Sequence, residues 1–152
     1  MQGIYNQLPQ TIRADNNRTF TIDGIDFLMM WWHSQNETTK EHVRAMVKSG
    51  RIEILNGGWS EHDEGCAYYS DMISNMQYGQ LMVLKEFDVT PAIGWQIDPF
   101  GLSATNARLF AEMGIKALFM NRIDVHERQS RRKLRELEFV WKPYSAYSGA
   151  EA

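Results

Sequence analysis

The sequence has one cysteine in 152 residues, Cys66, so no disulfide can form within the chain. It has four prolines and no low-complexity tract or internal repeat, which excludes fibrous and solenoid architectures. Its longest apolar run, Phe27 to Trp32, is far too short to cross a bilayer, so no membrane partner is expected. No basic patch stands out; the net charge is −3 with acids and bases interspersed, which argues against nucleic acid as a partner. The N-terminus lacks the charged-then-apolar layout of a signal peptide. What remains is 43% hydrophobic and 23% charged, the composition of a globular domain with a real core.

Apolar periodicity and turn residues suggest an alternation of strands and helices. A short helix is expected around Ile4 to Leu8, a strand at Phe20 to Ile22, and a buried helix over Ile25 to Ser34. Thr38 with Glu41 reads as a capping box opening a helix that runs to Ser49, before Gly50. A strand at Ile52 to Leu55 leads into Asn56-Gly57-Gly58-Trp59 and the polar loop Glu61-His62-Asp63-Glu64. The long helix from Tyr69 to Phe87 presents Met72, Met76, Val83 and Phe87 on one side, with Ile73 and Leu84 beside them. Such a methionine stripe reads as core. Beyond it come a strand at Ala92 to Ile97, a helix from Ala104 to Met113 capped by Ser103, and a strand at Ile115 to Met120. A charged helix over Glu127 to Glu136 and a final strand at Glu138 to Trp141 complete the series.

Alternation of this kind implies an α/β fold with parallel strands and right-handed crossovers. Ligands in such folds bind at the carboxyl ends of strands. Asp98 is expected at such an end, in a turn shaped by Pro99 and Gly101. An Asp before Pro also commonly does no more than bond its own backbone, so the residue alone leaves both readings open. Convergence favours a site: the loops after Leu55, Ile97 and Met120 carry Asp63 and Glu64, Asp98, and Arg122.

Four stretches together carry a resemblance. Trp31-Trp32-His33, Gly57-Gly58-Trp59 with Asp63-Glu64, Ile97-Asp98-Pro99-Phe100-Gly101, and Asn121-Arg122 stand in the order and spacing of glycoside hydrolase family 38, the lysosomal and Golgi class II α-mannosidases. The chain resembles the middle of that family's catalytic domain, with residues 1–152 a fragment of one domain. The lysosomal type is the nearest in pattern, although Gln96 and Leu102 stand where that type has histidines.

The resemblance implies a seven-stranded β/α barrel, of which this chain forms part. It also implies zinc-dependent retaining hydrolysis of terminal α-mannosyl residues on N-glycans or their breakdown products. Asp98 then looks like both nucleophile and zinc ligand, and Phe100 and Arg122 look like substrate-binding residues. The remaining zinc ligands and the general acid would lie outside these residues, leaving the fragment alone inactive. A lysosomal or secretory-lumen location follows by resemblance, and the sequons Asn17-Arg18-Thr19 and Asn36-Glu37-Thr38 agree with it.

Other readings weigh less. His62 and Asp63 with Asp98 could form a metal site, against the simpler expectation that Asp63 and Glu64 bond backbone amides. His33 reads as core or boundary, His42 and His126 as solvent-facing, and Cys66 as buried rather than reactive. A polysaccharide deacetylase would need an Asp-Asp and His-x-x-x-His pattern that is absent. A truncated paralogue that binds sugar weakly remains the non-catalytic alternative.

Overall fold

In the computed structural model, which describes residues 2–143, the chain divides into two units. One comprises the chain up to Glu61 together with Ser74–Pro91; the other comprises His62–Ile73 and the chain from Ala92 onward.

The first unit opens with helix α1, Gln2–Arg13, which is longer than the sequence suggests. Pro9 lies inside it and removes one amide donor, but Tyr5, Leu8 and Ile12 recur at helical spacing and are all buried. Burial of that face outweighs the loss. Strand β1, Phe20–Ile22, leads through helix α2, Ile25–Trp32, and helix α3, Glu37–Lys48, to strand β2, Ile52–Ile54. The strands are parallel, with Phe20 opposite Ile52 and Ile22 opposite Ile54.

The expected capping box does not form. Asn36, extended at φ −74°, accepts the Thr39 amide at 2.9 Å, so α3 starts before Thr38. Trp31 and Trp32 are almost wholly buried in the core, and each indole finds a partner: Nε1 of Trp31 donates to Asn6 Oδ1 at 2.8 Å, that of Trp32 to Glu86 Oε2 at 2.9 Å.

Helix α4, Tyr69–Phe87, buries Met72, Met76, Val83 and Phe87, as the stripe suggests. Leu84, expected beside them, is instead exposed. Within the first unit, Gly79 of this helix lies against the backbone of Gly57 to Trp59 so closely that a Cβ would meet Gly57 O at 2.2 Å. The Trp59 amide donates to Asn75 O at 3.0 Å, and the Ser60 amide to Asn75 Oδ1 at 2.9 Å. The Gly-Gly-Trp motif is therefore a packing device.

In the second unit, strand β3, Ile93–Gln96, runs parallel to strand β4, Ala117–Met120, with Ile93 opposite Ala117 and Gln96 opposite Met120. Helix α5, Ala104–Glu112, connects them; Ser103 caps it by accepting the Thr105 amide, and Gly114 turns the chain out at φ +87°. Helix α6, Val125–Leu134, begins two residues before the expected Glu127 because Asp124 accepts the amides of His126 and Glu127. No strand forms at Glu138 to Trp141: the alternation Phe139, Trp141 gains no ladder partner among the described residues. The structure thus consists of short parallel strands, two to a sheet, with helical crossovers.

Candidate functional site

Strand β3 ends at Gln96, and Asp98 follows in the turn to Ser103, at the carboxyl end of a parallel strand as expected. Arg122 follows the end of β4 in the same way. Register places these ends side by side, and the side chains meet: Arg122 Nε donates to Asp98 Oδ1 at 3.0 Å, and Nη2 donates to the same oxygen. Both groups are open to solvent, Asp98 68% and Arg122 54% exposed at the side chain. The guanidinium also lies over the ring of Phe100, 5.9 Å from its centroid, and Phe100 is itself exposed. Asp98, Phe100 and Arg122 therefore share one surface, a carboxylate and an aromatic face joined by a cation.

The same unit holds a buried polar cluster that the sequence pattern did not assemble. Gln96 and Asn106 are fully buried, and His62 and Glu64 nearly so. His62 Nε2 lies 2.8 Å from Asn106 Oδ1 and 3.2 Å from Gln96 Nε2. That one nitrogen donates to Asn106 when protonated and accepts from Gln96 when bare. Burial holds the His62 pKa below its usual value, partly offset by the Asn106 bond. Glu64 Oε2 accepts the Ser103 amide at 2.6 Å. Burial raises the Glu64 pKa, and the Ser103 amide and the Asn106 side chain oppose that rise. Signals for two of these residues were present. Period two puts Gln96 on the face of buried Gly94, and helical spacing puts Asn106 with buried Phe110.

Asp63 and Glu64 both accept backbone amides, as expected: Asp63 Oδ1 takes the Gly65 amide at 2.9 Å. His42 and His126 face solvent. His33 is exposed rather than core or boundary, standing just past the end of α2. Cys66 is exposed rather than buried, with Sγ 3.6 Å from Asp63 Oδ2, because its turn runs along the surface.

The first unit carries its own strand-end pair, also missed in the sequence. Asp23 follows β1 and accepts from Asn56, which follows β2 in the left-handed region at φ 54°, at 3.3 Å. The Asp23 pKa is raised to about 6, chiefly by burial and next by Glu61; bonds from the Gly24 amide and Asn56 pull the other way.

A four-coordinate zinc needs three or four protein donors. Among the described residues, no three His, Cys, Asp or Glu side chains gather where a metal could be held. His62 points instead to Asn106 and Gln96. As an exposed carboxylate at a strand end, Asp98 suits one oxygen ligand of such a site.

Comparison with known proteins adds the following. The family model "Glycosyl hydrolases family 38 N-terminal domain" matches residues 1–148. A probable alpha-mannosidase of Arabidopsis thaliana is 41% identical over 143 residues, covering 93% of this chain and 14% of its own length. The lysosomal alpha-mannosidase of Dictyostelium discoideum is 39% identical over 129 residues, 85% of this chain and 13% of that protein. The human lysosomal alpha-mannosidase is 37% identical over 144 residues, 93% and 14%. The chain thus spans about one-seventh of the length of these relatives. The crystal structure of an alpha-mannosidase from Enterococcus faecalis superposes with a TM-score of 0.67 at 18% identity, over 78% of this chain and 13% of that one. This last likeness bears on the fold alone.

Proposed function

Because the chain belongs to glycosyl hydrolases family 38, we propose that it is part of the catalytic domain of a retaining α-mannosidase, with Asp98 as the nucleophile. The whole of residues 1–152 belongs to that one domain, and its strands form part of a seven-stranded β/α barrel. The observation that carries the reading is the Asp98–Arg122 pair: a solvent-accessible carboxylate at a strand's carboxyl end, oriented by a cation from the next strand.

Retaining hydrolysis proceeds in two displacements. Asp98 attacks the anomeric carbon as the bond to the leaving oxygen breaks, giving a covalent glycosyl-enzyme; water then releases the sugar with net retention. A nucleophile must arrive ionised and aligned, and Arg122 pairs with its charge while fixing Oδ1. Phe100 offers an exposed ring beside the carboxylate, suited to the apolar face of a pyranose. Asp98 would also supply one ligand to a zinc ion whose other ligands come from outside this chain; when bound, such an ion can hold sugar hydroxyls and stabilise developing charge. The general acid likewise lies outside this chain. Substrates are terminal α-mannosides, and the lysosome or a secretory-pathway lumen is the compartment, in keeping with lysosomal proteins among the relatives.

The test is covalent trapping. A mannose-like reagent that forms a slowly hydrolysed glycosyl-enzyme should label the peptide carrying Asp98. In Asp98→Asn the label should vanish, and turnover should fall on the order of a thousandfold, about 4 kcal/mol in the barrier. Metal content of the variant is measured alongside, since a ligand changes too. Label on Glu61, Asp63 or Glu64, or near-normal turnover of Asp98→Asn, would refute the assignment.

A further inference from the structure

We propose that His62-Asp63-Glu64 is a clamp on the loop that carries Asp98, with Glu64 as its positioning residue. The loop from Asp98 to Leu102 has no regular structure, and Asp98, Phe100 and Gly101 are exposed, so its shape depends on how its ends are held. Both ends are held by the same short segment. At the start, the Gln96 side chain, two residues before Asp98, reaches His62 Nε2 at 3.2 Å and His62 O at 3.4 Å. At the finish, the Ser103 amide donates to Glu64 Oε2 at the short distance of 2.6 Å. Asn106, in the first turn of α5, ties His62 to the same helix.

Helix capping alone does not explain Glu64. The Ser103 hydroxyl already serves the Thr105 amide, as an ordinary N-cap does. Glu64 adds a second acceptor, a buried carboxyl, next to the positive end of the helix dipole. Its effect is to fix Ser103 relative to His62, and hence the separation between the two ends of the loop. A nucleophile misplaced by about 1 Å loses much of its reactivity, so such a clamp acts on rate rather than on affinity.

The kinetic part of this inference rests on the mannosidase reading; the structural part does not. The experiment uses the full-length protein carrying Glu64→Gln, whose amide oxygen can still accept from Ser103, and Glu64→Met, of similar length with no such acceptor. Glu112→Gln serves as a surface control on α5. Hydrogen–deuterium exchange of peptides spanning 97–105 should rise about fivefold or more in Glu64→Met, rise less in Glu64→Gln, and stay unchanged in the control, with β1 peptides unaffected. With para-nitrophenyl α-mannoside, Glu64→Met should lose about tenfold or more in kcat while KM moves less than about threefold, with Glu64→Gln in between. Unchanged loop exchange in Glu64→Met overturns the clamp, as does equal impairment by Gln and Met. If Glu64→Met unfolds, exchange rises everywhere, and Glu64→Gln decides: a rise confined to the loop supports the clamp, none overturns it. A wild type that hydrolyses no α-mannoside refutes the functional reading while the exchange data still decide the clamp.

Discussion

Arg122 directs both of its hydrogen bonds to Asp98 at one oxygen, Oδ1, rather than one to each carboxylate oxygen. The pair spans the ends of adjacent parallel strands, 24 residues apart, with the whole of α5 between. Being open to solvent, it adds little to stability. Its consequence is orientation.

Arg122→Met should therefore separate activity from folding. The full-length protein is expected to lose about a hundredfold in kcat/KM, roughly 2.7 kcal/mol, because Asp98, the proposed nucleophile, is no longer oriented. Stability should change by less than about 0.5 kcal/mol, as for other surface substitutions. Steady-state kinetics and a thermal melt on the same sample test this. A large drop in melting temperature, or undiminished kcat/KM, would show that the pair is structural.

Gly79→Ala should damage the fold rather than the site. The new Cβ would stand 2.2 Å from Gly57 O and 2.4 Å from both Gly58 C and Trp59 N, all backbone atoms that cannot swing aside. The expected loss is about 3 kcal/mol, and the melting temperature should fall by roughly 10 °C. Gly94→Ala is the contrast. Its Cβ meets Leu118 Cδ1 at 2.8 Å, the far end of a flexible side chain, so the effect should be milder. Equal melting temperatures for the two variants would contradict the packing described.

Much of this was legible in the sequence, and the exceptions have physical causes. Helices α2 and α4 are long enough in apolar periodicity to be placed closely, and the Asp98 turn follows from Pro99 and Gly101. Local signals misled where two of them competed. Thr38-x-x-Glu41 satisfies a capping box, but Asn36 offers an equally good acceptor two residues earlier. Glu138 to Trp141 alternates like a strand, but alternation without a neighbour to pair with makes no sheet. The buried polar cluster of His62, Gln96 and Asn106 depends on contacts between residues 34 to 44 positions apart, which periodicity cannot reveal. Asp23 was invisible for the same reason: its partner, Asn56, lies a whole crossover away.

Asp23 gives a pH dependence with a definite sign. Its native pKa of about 6 is above the ordinary value of 3.8, so between those values the folded state holds more proton than the unfolded one. This contribution to stability is fully present below about pH 4 and is lost as pH rises through about 6. Asp23→Asn should remove that slope and stabilise the protein near pH 7 by on the order of 2 kcal/mol. Chemical denaturation from pH 4 to 8 measures it; parallel curves for wild type and variant would show that the carboxyl does not titrate as described.

Expressed alone, residues 1–152 should bind well under one equivalent of zinc after dialysis, since one carboxylate does not make a site. They should also self-associate through unpaired strand edges. Elemental analysis and light scattering test the two statements. A stoichiometric zinc that disappears when His62 or Asp63 is changed would place a complete metal site on this chain, and a monodisperse monomer would mean the edges are protected.

The clamp also has a history within each molecule. His62-Asp63-Glu64 leaves the ribosome before Gln96, Ser103 and Asn106, the residues that will satisfy it. For that interval these three partners are not yet available to its imidazole and carboxylate. Only when α5 has emerged can these groups exchange water for their final partners. The loop that bears Asp98 therefore takes its shape only after the segment that supports it has been made.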